Sequence, residues 1–324
     1  MKVLIIGGAG MIGRKLAERL AQAGSLNGKA IAQLDLYDVA PATAPAAAKM
    51  PVRIHSGDLP AAGEADTLLA DRPDVIFHLA AIVSGEAELD FAKGYRINLD
   101  GTRLLLEAIR AAGHKPRLIF TSSIAVFGAP FPEAIDDEFF ATPLTSYGTQ
   151  KSICELLISD YTRKGFLDGL SIRLPTICVR PGKPNKAASG FFSNIMREPL
   201  AGEPAVLPVS DSVRHWHASP RAAIGFLTHA AGLDLRTVGP RRALTMPGLS
   251  VTVAEQIAAL AKVAGARVAA RIRHEPDPFI EGVVAGWPRN FAARRALELG
   301  FKADASFEDI IRIHIEDELG GRIA

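Results

Sequence analysis

Through the first half of the chain, short aliphatic runs alternate with stretches in which apolar side chains recur every three or four positions. The runs are KVLIIG, AIAQLDLYD, VRIHSGD, DVIFHLAA and RLIFTSSIAVFG, each the length of a strand and several apolar on both faces. Between them the period lengthens to that of a helix: from about Met11 to Ala23, near Asp66 to Asp71, and over NLDGTRLLLEAIRAAG. Strands apolar on both faces, alternating with helices, predict a doubly wound parallel sheet covered on each side. Ligands of such a sheet gather at the carboxyl ends of its strands.

The second half is less regular. Pro175, Pro181, Pro184, Pro199, Pro204, Pro208 and Pro220 interrupt the pattern from about Leu174 to Pro220. Helical periodicity returns in VTVAEQIAALAKVAGA and SFEDIIRIHIEDEL, each with Ser or Thr placed to cap it. The Ala/Pro run VAPATAPAAAKMP after Asp38 reads as a surface loop. We expect a nucleotide-binding domain over 1–174, to which part of 210–240 returns, and a smaller, partly interleaved substrate-binding lobe over 175–324.

Composition narrows the class. A chain of 324 residues with 48% hydrophobic and 22% charged residues and a net charge of +2 is that of a soluble globular protein. The mild charge excludes a nucleic-acid-coating role. Two cysteines, Cys154 and Cys178, make no disulfide framework and suit a reducing compartment, so a cytoplasmic location is expected. No stretch is apolar for the roughly 18 residues a membrane span needs. Glycines and the charged Arg14, Lys15, Glu18 and Arg19 set the opening apart from a signal sequence.

The glycines carry the first chemistry. GGAGMIG places Gly7, Gly10 and Gly13 after a strand and at the start of a helix, with Met11 and Ile12 between the last two. Absent side chains there let a pyrophosphate reach the backbone N–H groups of the helix N-terminus, as in a Rossmann dinucleotide site. Such a site also needs a carboxylate at the end of the second strand for the adenosine ribose. Asp35 and Asp38 both qualify; Asp38, at the strand tip, is favoured over the mid-strand Asp35. No Arg or Lys immediately follows Asp38 to neutralise a 2′-phosphate, so NAD is expected rather than NADP, with Arg14 the one residue that speaks against it.

Tyr147 and Lys151, in TSYGTQKSICELL, carry the second. Four residues apart on a helix they share a face, so an ammonium can draw down a phenol pKa of ~10 and make a usable base for oxidising an alcohol. Ser122 or Ser123, at the end of RLIFTSS, would reach the same strand-end crevice and orient the substrate oxygen. A lone Tyr-x-x-x-Lys is usually an exposed pair, and paired serines usually turn residues. Their order after a glycine turn and a strand-end acid favours catalysis.

With these motifs the chain resembles the extended short-chain dehydrogenase/reductase family, also called the NAD-dependent epimerase/dehydratase family. Further matches are GDL at Gly57 to Leu59, HLAA at His78 to Ala81, NLDGT at Asn98 to Thr102 and TSSIAVFG at Thr121 to Gly128. The resemblance implies Asp58 near adenine, Leu79 and Ala80 lining the cofactor, Asn98 supporting the active-site helix and Pro175 near the nicotinamide. It implies Ser123, Tyr147 and Lys151 as the catalytic triad, with Ser122 alongside, and a homodimer built through the Tyr-Lys helix.

Departures from the family pattern narrow the substrate. RHWHASPRAA and Phe127 make a nucleotide-sugar epimerase less fitting, and the C-terminal half resembles the branch that oxidises a four-carbon sugar acid, D-erythronate, at its C2 hydroxyl. The alternatives are an enzyme similar to L-threonine 3-dehydrogenase, a sugar-nucleotide epimerase and a non-catalytic NAD sensor. A small acid needs a cation, for which Arg214 is the candidate, with Ser189 and the Phe191–Phe192 segment as lid contacts. His215 and His217 are two apart, but no third ligand stands near and the chemistry needs no metal, so none is expected. Cys154 and Trp287 read as packing residues.

Overall fold

The computed structural model describes residues 1–182 and 188–324; Pro184 lies outside the described residues. Seven strands form one all-parallel sheet: β1 Lys2–Ile6, β2 Gln33–Asp38, β3 Val52–Ser56, β4 Val75–His78, β5 Arg117–Ser123, β6 Asp168–Leu174 and β7 Ala243–Thr245. Their spatial order is β7-β6-β5-β4-β1-β2-β3. The reversal of order between β1 and β4 is the switch point at which doubly wound sheets bind dinucleotides. The apolar run that opens the chain becomes β1, with Val3, Leu4, Ile5 and Ile6 all buried.

Helix α1 (Met11–Ala23) follows β1, starts at Gly10 and ends at Gly24 in the left-handed region. Helices α2 (Gly101–Ala112) and α3 (Ser146–Arg163) pack Leu105, Leu106, Ile109, Cys154 and Ile158 against Leu118 and Phe120 of β5. Two elements are shorter than their apolar runs predict. AIAQLDLYD forms a strand only from Gln33, because Asn27 and Gly28, both at positive φ, turn Lys29–Ala30 back onto Ser25–Leu26. The helix expected from Asn98 begins as a π-helical turn over Tyr95–Asp100, where the buried Asn98 side chain bonds away from its own helix.

The chain divides into two compact units. The first comprises Met1–Val126, Thr145–Leu174 and Ile224–Thr245; the second comprises Phe127–Leu144, Pro175–Ala223 and Met246–Ala324. Phe127–Leu144, expected in the first domain, belongs to the second unit. Its strand Ile135–Asp136 pairs with Phe291–Ala292, and the Phe127 ring packs against Phe139 and Phe291. The segment returning to the first unit is Ile224–Thr245, whose strand β7 extends the sheet beside β6.

The second unit has its own core, built on helix α4 (Gly190–Leu200), Val253–Ala264 and Phe307–Leu319. The last two are capped by Thr252, in a capping box with Glu255, and by Ser306. A small sheet joins Thr176–Ile177 to Arg214–Ala218 and that strand to Leu249–Thr252.

Candidate active site

The glycine turn is built for close approach. Gly7 sits at φ +97°, and its N–H and that of Gly8 donate to the Tyr37 carbonyl. A Cβ on Gly13 would stand 2.0 Å from the Gly7 carbonyl oxygen, and one on Gly7 would stand 2.7 Å from the Ala80 nitrogen. Gly10 caps α1 with no side chain over its first N–H groups, those of Met11 and Ile12. The turn is therefore a bare cradle at a helix N-terminus, which fits a dinucleotide pyrophosphate.

The two candidate acids of β2 differ in their company. Asp35 is mid-strand, 7% exposed, and paired with Arg53 at 2.9 Å while accepting from Gln33. Asp38 ends the strand and accepts from the Ala9 N–H of the glycine turn at 3.0 Å and from Ala40. Its place beside the cradle fits the ribose role; Asp35 is held by Arg53 of the neighbouring strand. Asp58, just beyond β3, pairs with Arg96 at 2.7 Å. Leu79 and Ala80 follow β4 and donate to the Ile6 carbonyl, which sets them against the glycine turn.

Lys151 is buried in α3, with Nζ donating to the Thr121 carbonyl at 2.7 Å and lying 4.4 Å from the Phe120 ring centroid and 5.7 Å from that of Tyr147. Burial pushes its pKa down to about 8, opposed by the nearby Cys154 and Glu155. An ammonium so placed is attracted to both aromatic faces and loses its proton more readily than a solvated lysine. Ser123 ends β5, its hydroxyl accepting from the Ala125 N–H at 3.1 Å.

Ser122 departs from expectation. Successive residues of a strand face opposite sides, and its hydroxyl donates to Glu155 Oε1 at 2.5 Å rather than joining Ser123. Glu155 and its partner Arg173 went unnoticed in the sequence, although Glu155 stands one helical turn beyond Lys151. Asn98, which the resemblance implies as a support of the active-site helix, lies among polar groups under α3. Asn98 donates to Gln150 at 2.8 Å and accepts from the Ile82 N–H, while Thr102 and Cys154 donate to its carbonyl. Cys154 is buried, and burial pushes its thiol up to about 11.

In the second unit, Pro175 directly follows β6 and is buried. Ser189 stands at the N-cap position of α4 without a side-chain capping bond and accepts from Arg180 at 2.8 Å. The Phe191–Phe192 segment, expected as a lid contact, lies in the core of the second unit, 6% and 0% exposed, because the first turn of α4 is buried. Arg214 donates to the Ser250 carbonyl at 2.8 Å and faces Glu255 at 3.3 Å. His215 and His217 pack on Phe192; His215 lies between Thr176 and the Pro288 carbonyl, and His217 contacts Gln256. Trp287 packs on His215 at 5.2 Å.

A Rossmann sheet with a bare glycine cradle, a strand-end acid and a serine, tyrosine and buried lysine around β5 and α3 defines the extended short-chain dehydrogenase/reductase class. The chain matches the NAD dependent epimerase/dehydratase family over residues 3–219, and it belongs to that family. It is 48% identical to D-erythronate dehydrogenase of Cupriavidus necator, with 98% of each chain covered. It is 45% identical to D-erythronate dehydrogenase of Haemophilus influenzae, covering 98% of this chain and 100% of that one. A crystal structure described as a nucleoside-diphosphate-sugar epimerase from Agrobacterium tumefaciens superposes with a TM-score of 0.98 at 64% identity, covering 100% of this chain and 96% of that one.

Proposed function

We propose that the protein is an NAD-dependent dehydrogenase that oxidises the C2 hydroxyl of a four-carbon sugar acid, D-erythronate, to 2-dehydro-D-erythronate. The observation that carries the reaction class is the Lys151 ammonium, buried one turn from Tyr147 beside the end of β5. The substrate rests on the two D-erythronate dehydrogenases, which the chain matches along nearly its whole length.

In this reading the glycine turn, with Met11, Ile12, Asp38, Asp58, Leu79, Ala80, Asn98, Tyr147, Lys151 and Pro175, holds NAD. When bound, NAD supplies the acceptor for the hydride leaving C2. Tyr147, as phenolate, takes the hydroxyl proton. Lys151 stabilises that phenolate, and Ser123 orients the alcohol oxygen. Tyr147→Phe removes the base and nothing that binds NAD through its own charge: turnover should fall to background, while NAD affinity by calorimetry stays within about threefold. Retained turnover would sink the assignment.

Arg214 is the proposed partner of the substrate carboxylate, with Glu255 holding the guanidinium until the acid competes for it. Arg214→Ala should raise KM for D-erythronate about tenfold or more with little change in kcat; an unchanged KM would move the carboxylate contact elsewhere. Ser189 is a further candidate contact. A homodimer in the cytoplasm completes the reading, and light scattering of the purified protein tests the assembly.

The epimerase description of the Agrobacterium structure supports a second reading, isomerisation of a nucleotide sugar with no net change in NAD. NADH absorbance with D-erythronate, L-threonine and UDP-sugars separates them. Net NADH with D-erythronate supports the dehydrogenase; sugar conversion without net NADH supports the epimerase.

A further inference from the structure

Resting on the dehydrogenase reading, we propose that Glu155 is a positioning residue: gripped by Arg173 and receiving the Ser122 hydroxyl, it fixes the register of α3 on β5 and thereby the place of the Lys151 ammonium. Arg173 Nε stands 2.9 Å from Oε1 and 3.2 Å from Oε2 of Glu155, and Nη2 stands 2.7 Å from Oε2. Ser122 and Arg173 are register partners on β5 and β6, so neighbouring strands reach the same carboxylate on α3. One turn earlier, Lys151 is tied to the carbonyl of Thr121, the residue before Ser122. The strand end that carries Ser123 is thus fastened to the helix that carries Tyr147 at two points one turn apart.

A buried ion pair is weak evidence for stability, because well-packed apolar residues usually do as well or better. Here the carboxylate is 6% exposed and also answers a serine hydroxyl, an arrangement that specifies register rather than mere cohesion. The titratable groups around Lys151 are Tyr147, Cys154 and Glu155 on α3 and His78 from β4, with Arg173 behind Glu155. Burial pushes the Cys154 thiol up to about 11 and the His78 imidazole down to about 3, so both are uncharged near neutrality. Cys154 and Glu155 oppose the fall of the Lys151 pKa, and removing Glu155 would let Lys151 deprotonate at lower pH.

The test compares Ser122→Ala and Glu155→Gln with the wild type in kcat and KM against pH, and in the titration of the Lys151 side-chain NMR signal with NAD bound. Ser122→Ala should lower kcat by about three- to tenfold and leave KM for the acid within about twofold. Glu155→Gln should lower kcat further and move the alkaline limb, with the Lys151 titration, down by roughly one pH unit. Should Glu155→Gln fail to fold with Arg173 unpaired, the double variant Glu155→Met, Arg173→Met removes the pair without a buried charge. A lowered kcat in that folded variant supports the proposal. Wild-type kcat and pH profile in the double variant, or a raised KM with unchanged kcat in Ser122→Ala, would overturn it. The NMR titration needs no substrate, so it decides the Glu155 role even if no sugar acid turns over.

Discussion

Lys151 combines its proposed role with a thermodynamic cost. Its pKa falls from 10.5 to about 8 on folding, so between those values the unfolded chain holds more protons than the native one. Stability is therefore reduced below about pH 8 and recovers as pH rises toward 10.5. The shift corresponds to roughly 3 kcal/mol at neutral pH. Lys151→Met should abolish turnover yet raise the melting temperature at pH 7, whereas a lower melting temperature would mean that the Thr121 and Phe120 contacts outweigh desolvation. At this scale the sequence was legible where spacing along one helix sets geometry, as for Tyr147 and Lys151. It was not legible for Ser122, whose partner Glu155 lies 33 positions away and meets it only through strand-helix packing.

At the scale of elements, the β1–α1 turn is the most constrained piece. The Gly7 carbonyl leaves no room for a side chain at position 13, and both walls of that contact are backbone, which cannot rotate aside. Gly13→Ala should force the turn apart, costing about 1–3 kcal/mol and weakening NAD binding by about tenfold or more. Calorimetric titration with NAD checks this, and unchanged affinity would show that the cradle is not the pyrophosphate site. Helix α1 was legible to its end residues because glycines bracket an amphipathic run. The π-helical turn before α2 was not, and the Asn98 side chain within it bonds to Ile82 and Gln150, 16 and 52 positions away.

For the whole molecule, buried imidazoles weaken the fold as the pH falls. Burial pushes His78 down to about 3 and His215 to about 4, and it holds His217 well below its ordinary value. The native state keeps them neutral while the unfolded chain takes up their protons below about pH 6.5. The unfolded state then binds more protons, so stability falls as pH drops from 6.5 toward 4. At pH 5 the loss is roughly 2 kcal/mol for each of His78 and His215. Urea unfolding at pH 7 and pH 5 should show the midpoint fall sharply; equal midpoints would mean that these rings are hydrated in solution.

The sequence alone determined the alternation of strands and helices, the glycine turn, the Tyr-Lys helix and the class of chemistry, because each depends on spacings of a few residues along one element. Tertiary structure decided what depends on distant residues meeting. It set Asp38 beside the Ala9 N–H and Asp35 against Arg53, and it moved Phe127–Leu144 into the second unit through pairing with Phe291–Ala292. It turned Phe191 into the core and joined Ser122 to Glu155 and Arg173. Local periodicity fixes which face of an element is apolar; only packing fixes what that face meets.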